Sequence, residues 1–349
     1  MCAISEKLIS WYRANRRELP WRRTSDPYMI WISEVILQQT RVVQGLDYFN
    51  RFIARFPDVQ TLAAAHQDEI LKYWQGLGYY SRARNLHEAA RYIVSHFNGK
   101  FPVSYKDVLS LKGIGEYTAA AICSIAYKQP FAVIDGNVYR VLSRLFAIDT
   151  PIDDTKGKKL FSELAQSLIP IQHPDIYNQA IMEFGALHCL PRNPHCPECP
   201  LQENCLAFKM SIVNSLPVKR GKTKIKPRYF NYLHIVCGIN TLISQRNQKD
   251  IWQNLYEFPL IETNHPVTIT ELAQTDDFKY LFGDISLQVE AIVAMPKHQL
   301  SHRTIYATFY RIEIQEFSPA MQKNYKEIPS ANLMQYAVSR LTESYLEQL

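Results

Sequence analysis

Cys189-Leu190-Pro191-Arg192-Asn193-Pro194-His195-Cys196-Pro197-Glu198-Cys199-Pro200-Leu201-Gln202-Glu203-Asn204-Cys205 gathers four of the chain's seven cysteines into one short loop, spaced C-x6-C-x2-C-x5-C. Thiolates at that spacing surround one small centre, and such soft ligands select zinc or an iron–sulfur cluster. Proline follows both Cys196 and Cys199, so the middle of the loop reads as a stiff turn rather than a helix. Cys2, Cys123 and Cys237 are scattered singly, which speaks against a disulfide framework. Zinc fingers commonly use two C-x2–4-C pairs, and only Cys196 and Cys199 obey that rule. A [4Fe–4S] cluster held by Cys189, Cys196, Cys199 and Cys205 is therefore favoured over zinc and over unligated structural cysteines.

Outward from this loop the chain changes character twice. Residues 1 to about 188 carry apolar side chains at helical spacing, as in Met29–Leu37, Asp68–Trp74, Ala83–Phe97 and Thr118–Tyr127. After the cysteines comes Lys219-Arg220-Gly221-Lys222-Thr223-Lys224-Ile225-Lys226-Pro227-Arg228, a basic stretch without apolar periodicity. It reads as a solvated linker or as a segment lying on a phosphate backbone. Beyond it the pattern turns strand-like, at Tyr232–Ile235 and Thr304–Ile314, so residues 229–349 are expected to form a separate α+β domain. The 349 residues suffice for two or three domains, and 39 Lys+Arg against 33 Asp+Glu leave a mild net charge of +6. That balance is compatible with a nucleic-acid partner without requiring one. No basic segment feeding an apolar core opens the chain, and the longest apolar run, about 119–127, is too short to span a bilayer. A soluble, intracellular (cytoplasmic) protein with no membrane partner is expected.

Three further stretches carry chemistry. Leu111-Lys112-Gly113-Ile114-Gly115-Glu116-Tyr117-Thr118 sets two glycines in a tight hairpin just before an apolar helix. Uncovered backbone N–H groups at Gly113 and Gly115 plus the positive helix end suit one phosphate, with Lys112 adding charge; an ordinary helix–helix turn is the plainer alternative. Glu34 lies among Ile32, Val35 and Ile36, where burial would raise its pKa and keep a proton available near neutrality. On that stretch alone, an exposed helix-surface glutamate is the better reading. Phe131-Ala132-Val133-Ile134-Asp135-Gly136-Asn137 ends an apolar run in an aspartate that can cap the next helix, whose positive end would keep it ionised. Capping by itself explains Asp135, but a held anion also suits a cationic sugar intermediate. One carboxyl pushed towards protonation and one held ionised is the division of labour of glycoside hydrolysis. With a phosphate-binding hairpin alongside, the glycoside would be a DNA nucleotide rotated out of the stack.

The helix–hairpin–helix at 111–122, Val133-Ile134-Asp135-Gly136-Asn137 and the cysteine spacing resemble the endonuclease III superfamily of helix–hairpin–helix DNA glycosylases. Within it, Trp31-Ile32-Ser33-Glu34-Val35-Ile36-Leu37-Gln38-Gln39-Thr40, Gly76-Leu77-Gly78-Tyr79-Tyr80-Ser81-Arg82-Ala83-Arg84-Asn85-Leu86 and the added C-terminal domain resemble the adenine-excising branch. The resemblance is specific over residues 5–215 and looser over 229–349. It implies a mainly α catalytic region at 1–217, with a six-helix barrel at about 26–135 and a cluster module from 1–25 and 136–217. A basic linker at 218–228 and a Nudix-like 8-oxoguanine-reading α+β domain at 229–349 would follow. The implied activity is hydrolytic removal of adenine mispaired with 8-oxoguanine or guanine in double-stranded DNA, by a monomer.

Carried over by position, the resemblance makes Glu34 the acid that protonates adenine and Asp135 the carboxylate that stabilises or captures the sugar cation. Tyr117 and Asn137 would support them. Gln38, with its neighbours Gln39 and Thr40, and Tyr79 would fill or wedge the stack at the lesion pair. Arg22 and Gln179 would line the adenine pocket. Lys297-His298-Gln299-Leu300-Ser301-His302 matches a Phe-Ser-His loop that touches the oxidised base, with Leu300 where phenylalanine is usual. Residues 229–349 contain no glutamate-rich Nudix helix, so pyrophosphatase activity is not expected. Bifunctional relatives place a lysine where Tyr117 stands, and tyrosine cannot form a Schiff base, so a monofunctional enzyme is expected. The alternatives are a bifunctional oxidised-pyrimidine glycosylase with lyase activity and a non-catalytic iron–sulfur protein that only docks on DNA.

Overall fold

The computed structural model describes residues 3–221 and 225–349. Cys2 and the Lys222-Thr223-Lys224 part of the basic stretch lie outside the described residues. In chain order the first helices are α1 (Ala3–Asn15), α2 (Pro27–Leu37), α3 (Val42–Arg55), α4 (Val59–Ala64), α5 (Gln67–Trp74) and α6 (Ser81–His96). Then come α7 (Tyr105–Ser110), α8 (Glu116–Tyr127), α9 (Gly136–Leu145), α10 (Thr155–Leu168), α11 (Pro174–Leu187) and the short α12 (Leu206–Lys209). Strands β1 (Lys226–Cys237), β2 (Asn240–Gln245), β3 (Tyr256–Glu257) and β4 (Leu260–Thr263) precede α13 (Ile269–Leu272) and α14 (Asp276–Phe282). The chain closes with β5 (Leu287–Ala294), β6 (His298–Gln299), β7 (Arg303–Ile314), α15 (Pro319–Asn324), β8 (Lys326–Pro329) and α16 (Arg340–Leu346). No helix among the described residues is long and apolar enough to cross a membrane.

Two compact units emerge, Met1–Ala64 with Asn85–Gly221, and Ala65–Arg84 with Lys222–Leu349. In the first, local signals start the helices that matter. Asp26 accepts from the Tyr28 N–H and Pro27 opens α2, whose next turns are buried almost all round. Gly113, at φ +77°, turns the chain between α7 and α8, where a Cβ would collide with Asn85. Helix α9 buries Val138, Val141, Leu142 and Leu145, each contributing about 2 kcal/mol of transfer free energy. Its partners are α10, α11 and α12, while α2 packs on α3 and α8. Leu8, Leu142, Phe161 and Phe184 lie in one core cluster that α1, α9, α10 and α11 enclose.

The second unit is built on a mixed sheet with the order β3-β2-β1-β7-β5. Strands β1 and β7 run parallel in continuous register from Lys226↔Arg303 to Val236↔Glu313. Leu233 and Ile235 face a cluster with Phe278, Leu281 and Phe282 of α14, whereas Tyr232 joins Phe309 and Tyr345 of α16 in another. Because helices cover both faces, the middle of β1 is buried at every residue from 230 to 236 rather than alternating, Asn231 and His234 included.

Sequence expectation and structure differ at two boundaries. The linker read at 218–228 ends earlier, since Lys226, Pro227 and Arg228 already pair with β7. Arg228 is not a free backbone contact: it bonds Asp250 and Glu262, both at 2.7 Å, and stacks over Phe230. Residues 65–84, read as part of a 1–217 region, instead belong to the second compact unit. There Lys72 donates to the Tyr336 carbonyl and Gln75 to Glu343, long-range bonds that sequence periodicity does not register.

Inside the second unit Arg246 bonds both Glu257 oxygens, at 2.8 and 2.7 Å, and Glu257 also accepts from the Tyr232 hydroxyl. Removing one charge from such a buried pair strands the other. Glu257→Gln is expected to cost about 3 kcal/mol, read by chemical denaturation; an unchanged midpoint would contradict the pairing.

Candidate active site

Helix α2 carries Glu34 inward, leaving it 9% exposed among Ile32, Val35 and Ile36. The surface-glutamate reading is thereby overturned. Tyr117, on the first turn of α8, donates its hydroxyl to Glu34 Oε2 at 2.7 Å. Burial raises the Glu34 pKa to about 7, helped by the nearby Asp135 charge and opposed by the Tyr117 bond and Arg22. Burial likewise lifts the Tyr117 phenol well above its ordinary range, so it stays a neutral donor.

Asp135 is the N-cap of α9. Its Oδ1 accepts from the Asn137 and Val138 N–H groups at 2.9 and 2.8 Å, and its Oδ2 from the Asn137 side-chain amide at 2.8 Å. Capping and site placement thus coincide. The expectation of an aspartate held simply low needs correcting, because burial raises its pKa against those hydrogen bonds and the Arg140 charge. The apolar run before it is anchored by Asn178, which accepts from the Val133 N–H and donates to the Phe131 carbonyl.

Arg22 and Gln179 enter the same neighbourhood through α11. Arg22 bonds both oxygens of Glu183, at 2.7 and 2.6 Å, and Arg17 shares that carboxylate. Those bonds outweigh burial and hold the Glu183 pKa at about 2. Tyr12 donates to the Gln179 side-chain oxygen at 3.0 Å and lies under the Arg22 guanidinium. After α2, Gln38 reaches Thr118 Oγ1 at 3.4 Å, Gln39 is exposed at φ +57° and the Thr40 N–H bonds the Leu37 carbonyl.

At the hairpin, Gly115 starts α8 with no side-chain cap, and a Cβ there would meet open space. The Ile114 N–H is taken up by the Leu111 carbonyl at 3.1 Å, and the N-terminus of α8 follows at once. Lys112 is exposed and 3.8 Å from Glu88, which partly offsets its charge.

The four loop cysteines line one cavity together with Arg144. Among the described residues no group of three or more His, Cys, Asp or Glu is gathered as a ligand set for a single metal ion. Helix α9 clamps the loop with two arginines a turn apart. Arg140 donates to the Cys189 and Gly185 carbonyls and to Asn137 Oδ1 at 2.8, 2.6 and 2.8 Å. Arg144 donates to Cys189 Sγ at 3.4 Å and to the Leu190 and Pro191 carbonyls.

In the second unit, Tyr79 stands at φ +47° and its hydroxyl lies 2.7 Å from Ser301 Oγ. Both border a cavity of about 610 Å3 with Trp252, His298, Leu300 and His302. Leu300 packs partly against the core below, while Ser301 and His302 are exposed.

Residues 32–167 match the HhH-GPD superfamily of base excision DNA repair proteins, and residues 231–348 match the NUDIX domain. The adenine DNA glycosylase of Buchnera aphidicola subsp. Schizaphis graminum (strain Sg) is 38% identical over 74% of this chain and 75% of that protein. That of Buchnera aphidicola subsp. Baizongia pistaciae (strain Bp) is 35% identical over 86% and 83%. The chain belongs to the adenine DNA glycosylase family. The Homo sapiens adenine DNA glycosylase is 41% identical over 59% of this chain and 39% of that protein. Among solved structures, a thermostable thymine-DNA glycosylase aligns with a TM-score of 0.56 and 29% identity over 59% of this chain and 95% of its own. A non-covalent endonuclease III–DNA complex shares the fold, with a TM-score of 0.52 and 23% identity over 60% and 95%.

Sequence reasoning missed Glu183, Asn178, Arg140 and Arg144. A signal existed on α11, where Asn178 and Glu183 interrupt the buried series Tyr177, Ala180, Ile181, Phe184. Polar side chains on a face that apolar neighbours bury must find partners.

Folded Glu34 keeps its proton to about 7, against an ordinary 4.5. A raised carboxyl pKa means stability is lost as pH climbs through that window and stays lost above it, on the order of 3 kcal/mol for this group. Glu34→Gln removes the loss, so its stability relative to the parent should rise between pH about 4.5 and 7 and then level off. A difference independent of pH would contradict the burial argument.

Proposed function

We propose that this protein hydrolyses the N-glycosidic bond of adenine mispaired with 8-oxoguanine or guanine in double-stranded DNA, leaving an abasic site. The observation that carries the reading is the buried Glu34–Tyr117 pair beside the capped Asp135. Asp135 accepts three hydrogen bonds and Glu34 one from Tyr117. A proton shared between the two carboxyls therefore resides on Glu34, since hydrogen bonds to a carboxylate favour its ionised form.

With the adenine nucleotide rotated out of the stack, Glu34 gives that proton to N7. The C1′–N9 electron pair leaves with the base, and the ionised Asp135 faces the cationic sugar until water adds at C1′. Tyr117 stands where a lyase would need an amine and offers only a neutral hydroxyl, so no Schiff base forms and the strand stays intact. The phosphate next to the flipped nucleotide suits the N–H groups at Gly113, Gly115 and the start of α8. Gln38, Gln39 and Thr40 would fill the stack at the lesion pair. Tyr79 with Ser301 and His302 is suited to the altered edge of 8-oxoguanine, Ser301 offering a hydroxyl to its N7 side.

The soft donor set of Cys189, Cys196, Cys199 and Cys205, all four lining one cavity beside Arg144, fits a [4Fe–4S] cluster. Such a cluster would cross-link the loop and present Arg192, which is exposed, to phosphate.

Single-turnover assays on a duplex with one A·8-oxoguanine pair test the reading. Free adenine should appear, with a strand break only after alkali and no efficient borohydride trapping. The rate should fall as pH rises through about 7, where Glu34 loses its proton. Glu34→Gln should abolish release while sparing DNA affinity; binding with no adenine released by the parent protein would move it to the docking class. Purified protein should carry about four irons per chain and a visible absorbance. One zinc in a colourless protein would refute the cluster.

A further inference from the structure

A cavity of about 470 Å3 opens at the ends of β1 and β7. The parallel register sets His234 of β1 directly beside Arg311 of β7, so both side chains leave the same face of the sheet. His234 is 3% exposed, and its Nδ1 lies 2.9 Å from the Tyr345 hydroxyl. Its Nε2 has no hydrogen-bond partner, and neither has Ser330 Oγ in the same wall. Arg311 is half-buried and acts electrostatically on both His234 and Tyr345. Burial and that neighbouring charge push His234 down to about 4, so the ring is neutral. In the tautomer where Tyr345 donates to Nδ1, the ring proton sits on Nε2. In that tautomer three donors, one of them cationic, belong to residues that line the cavity. The remaining wall is apolar, with Leu333 and Leu346 below and Ile239 and Met334 at the mouth, 79% and 56% exposed.

Buried donors without acceptors and exposed apolar side chains are each unfavourable, and here they border the same space. We propose that this cavity binds a small organic anion, a carboxylate on an apolar chain, with the carboxylate on Arg311, His234 Nε2 and Ser330 Oγ and the chain against Ile239, Met334 and Leu346. The volume falls in the range of small-molecule sites, roughly 300–1,000 Å3. A simple phosphate would leave the apolar mouth uncovered, and a neutral alcohol would leave Arg311 without a counter-charge.

Calorimetric titration of the full-length protein with hexanoate, 1-hexanol and inorganic phosphate tests the site. Hexanoate should bind at least about tenfold more tightly than either of the others. Arg311→Met should weaken hexanoate by about tenfold or more and leave adenine release from the A·8-oxoguanine duplex unchanged. Ile239→Glu, at an exposed position, should also exclude hexanoate, by charge at the mouth and without touching the core. No heat with hexanoate, equal affinity for hexanol or phosphate, or hexanoate binding unchanged in Ile239→Glu would each overturn the proposal.

Discussion

The N-terminus of α9 is the constraint on which the first unit turns. Asp135 can sit half-buried because its oxygens accept from two backbone N–H groups at that helix end and from the Asn137 amide. The same helix then commits Arg140 and Arg144, one turn apart, to the carbonyls and sulfur of the cysteine loop. A rigid element of under three turns therefore sets both the carboxylate and the loop, with Asn137 bonded to each side. The close passage of α11 belongs to this arrangement, since a Cβ on Gly185 would strike Asn137 at 2.6 Å.

Two glutamates of that unit show how partners override residue type. Glu34 and Glu183 are both buried, yet one is raised to about 7 and the other lowered to about 2. Burial opposes ionisation in both. Glu183 receives two guanidinium groups in fork geometry and stays charged, whereas Glu34 receives one phenol and has Asp135 as a neighbour. Arg22 bonds Glu183 and also acts on Glu34, so the ionised pair and the protonated acid belong to one electrostatic system.

In the second unit the parallel β1–β7 pair plays the organising part. Its register brings His234 beside Arg311 at one end and Lys226 beside Arg303 at the other. From the second end the chain leads back into the turn that holds Leu300, Ser301 and His302, where Tyr79 meets Ser301. The position of Tyr79 depends on residues 65–84 being packed by bonds such as Lys72 to Tyr336, not on the stretch's own propensity.

Much of this protein was legible in its residues. The cysteine spacing, the Gly113–Gly115 hairpin and the cap at Asp135 are local patterns, because turns and caps are made by neighbours in sequence. They determined the helical class of the first region, the glycine hairpin and the likeness to a family. What lay beyond reach was everything made by distant pairs. Glu34 on its own stretch read as a surface residue, and only α8 and its neighbours bury it. Glu183, Arg140 and Arg144 had no local motif, since their partners lie up to 166 residues away. The strand start at Lys226 and the membership of residues 65–84 likewise depend on pairing across the chain. Local chemistry decides where helices and turns begin; only tertiary packing decides which charges are desolvated and by what partners, and it is desolvation that sets their chemistry.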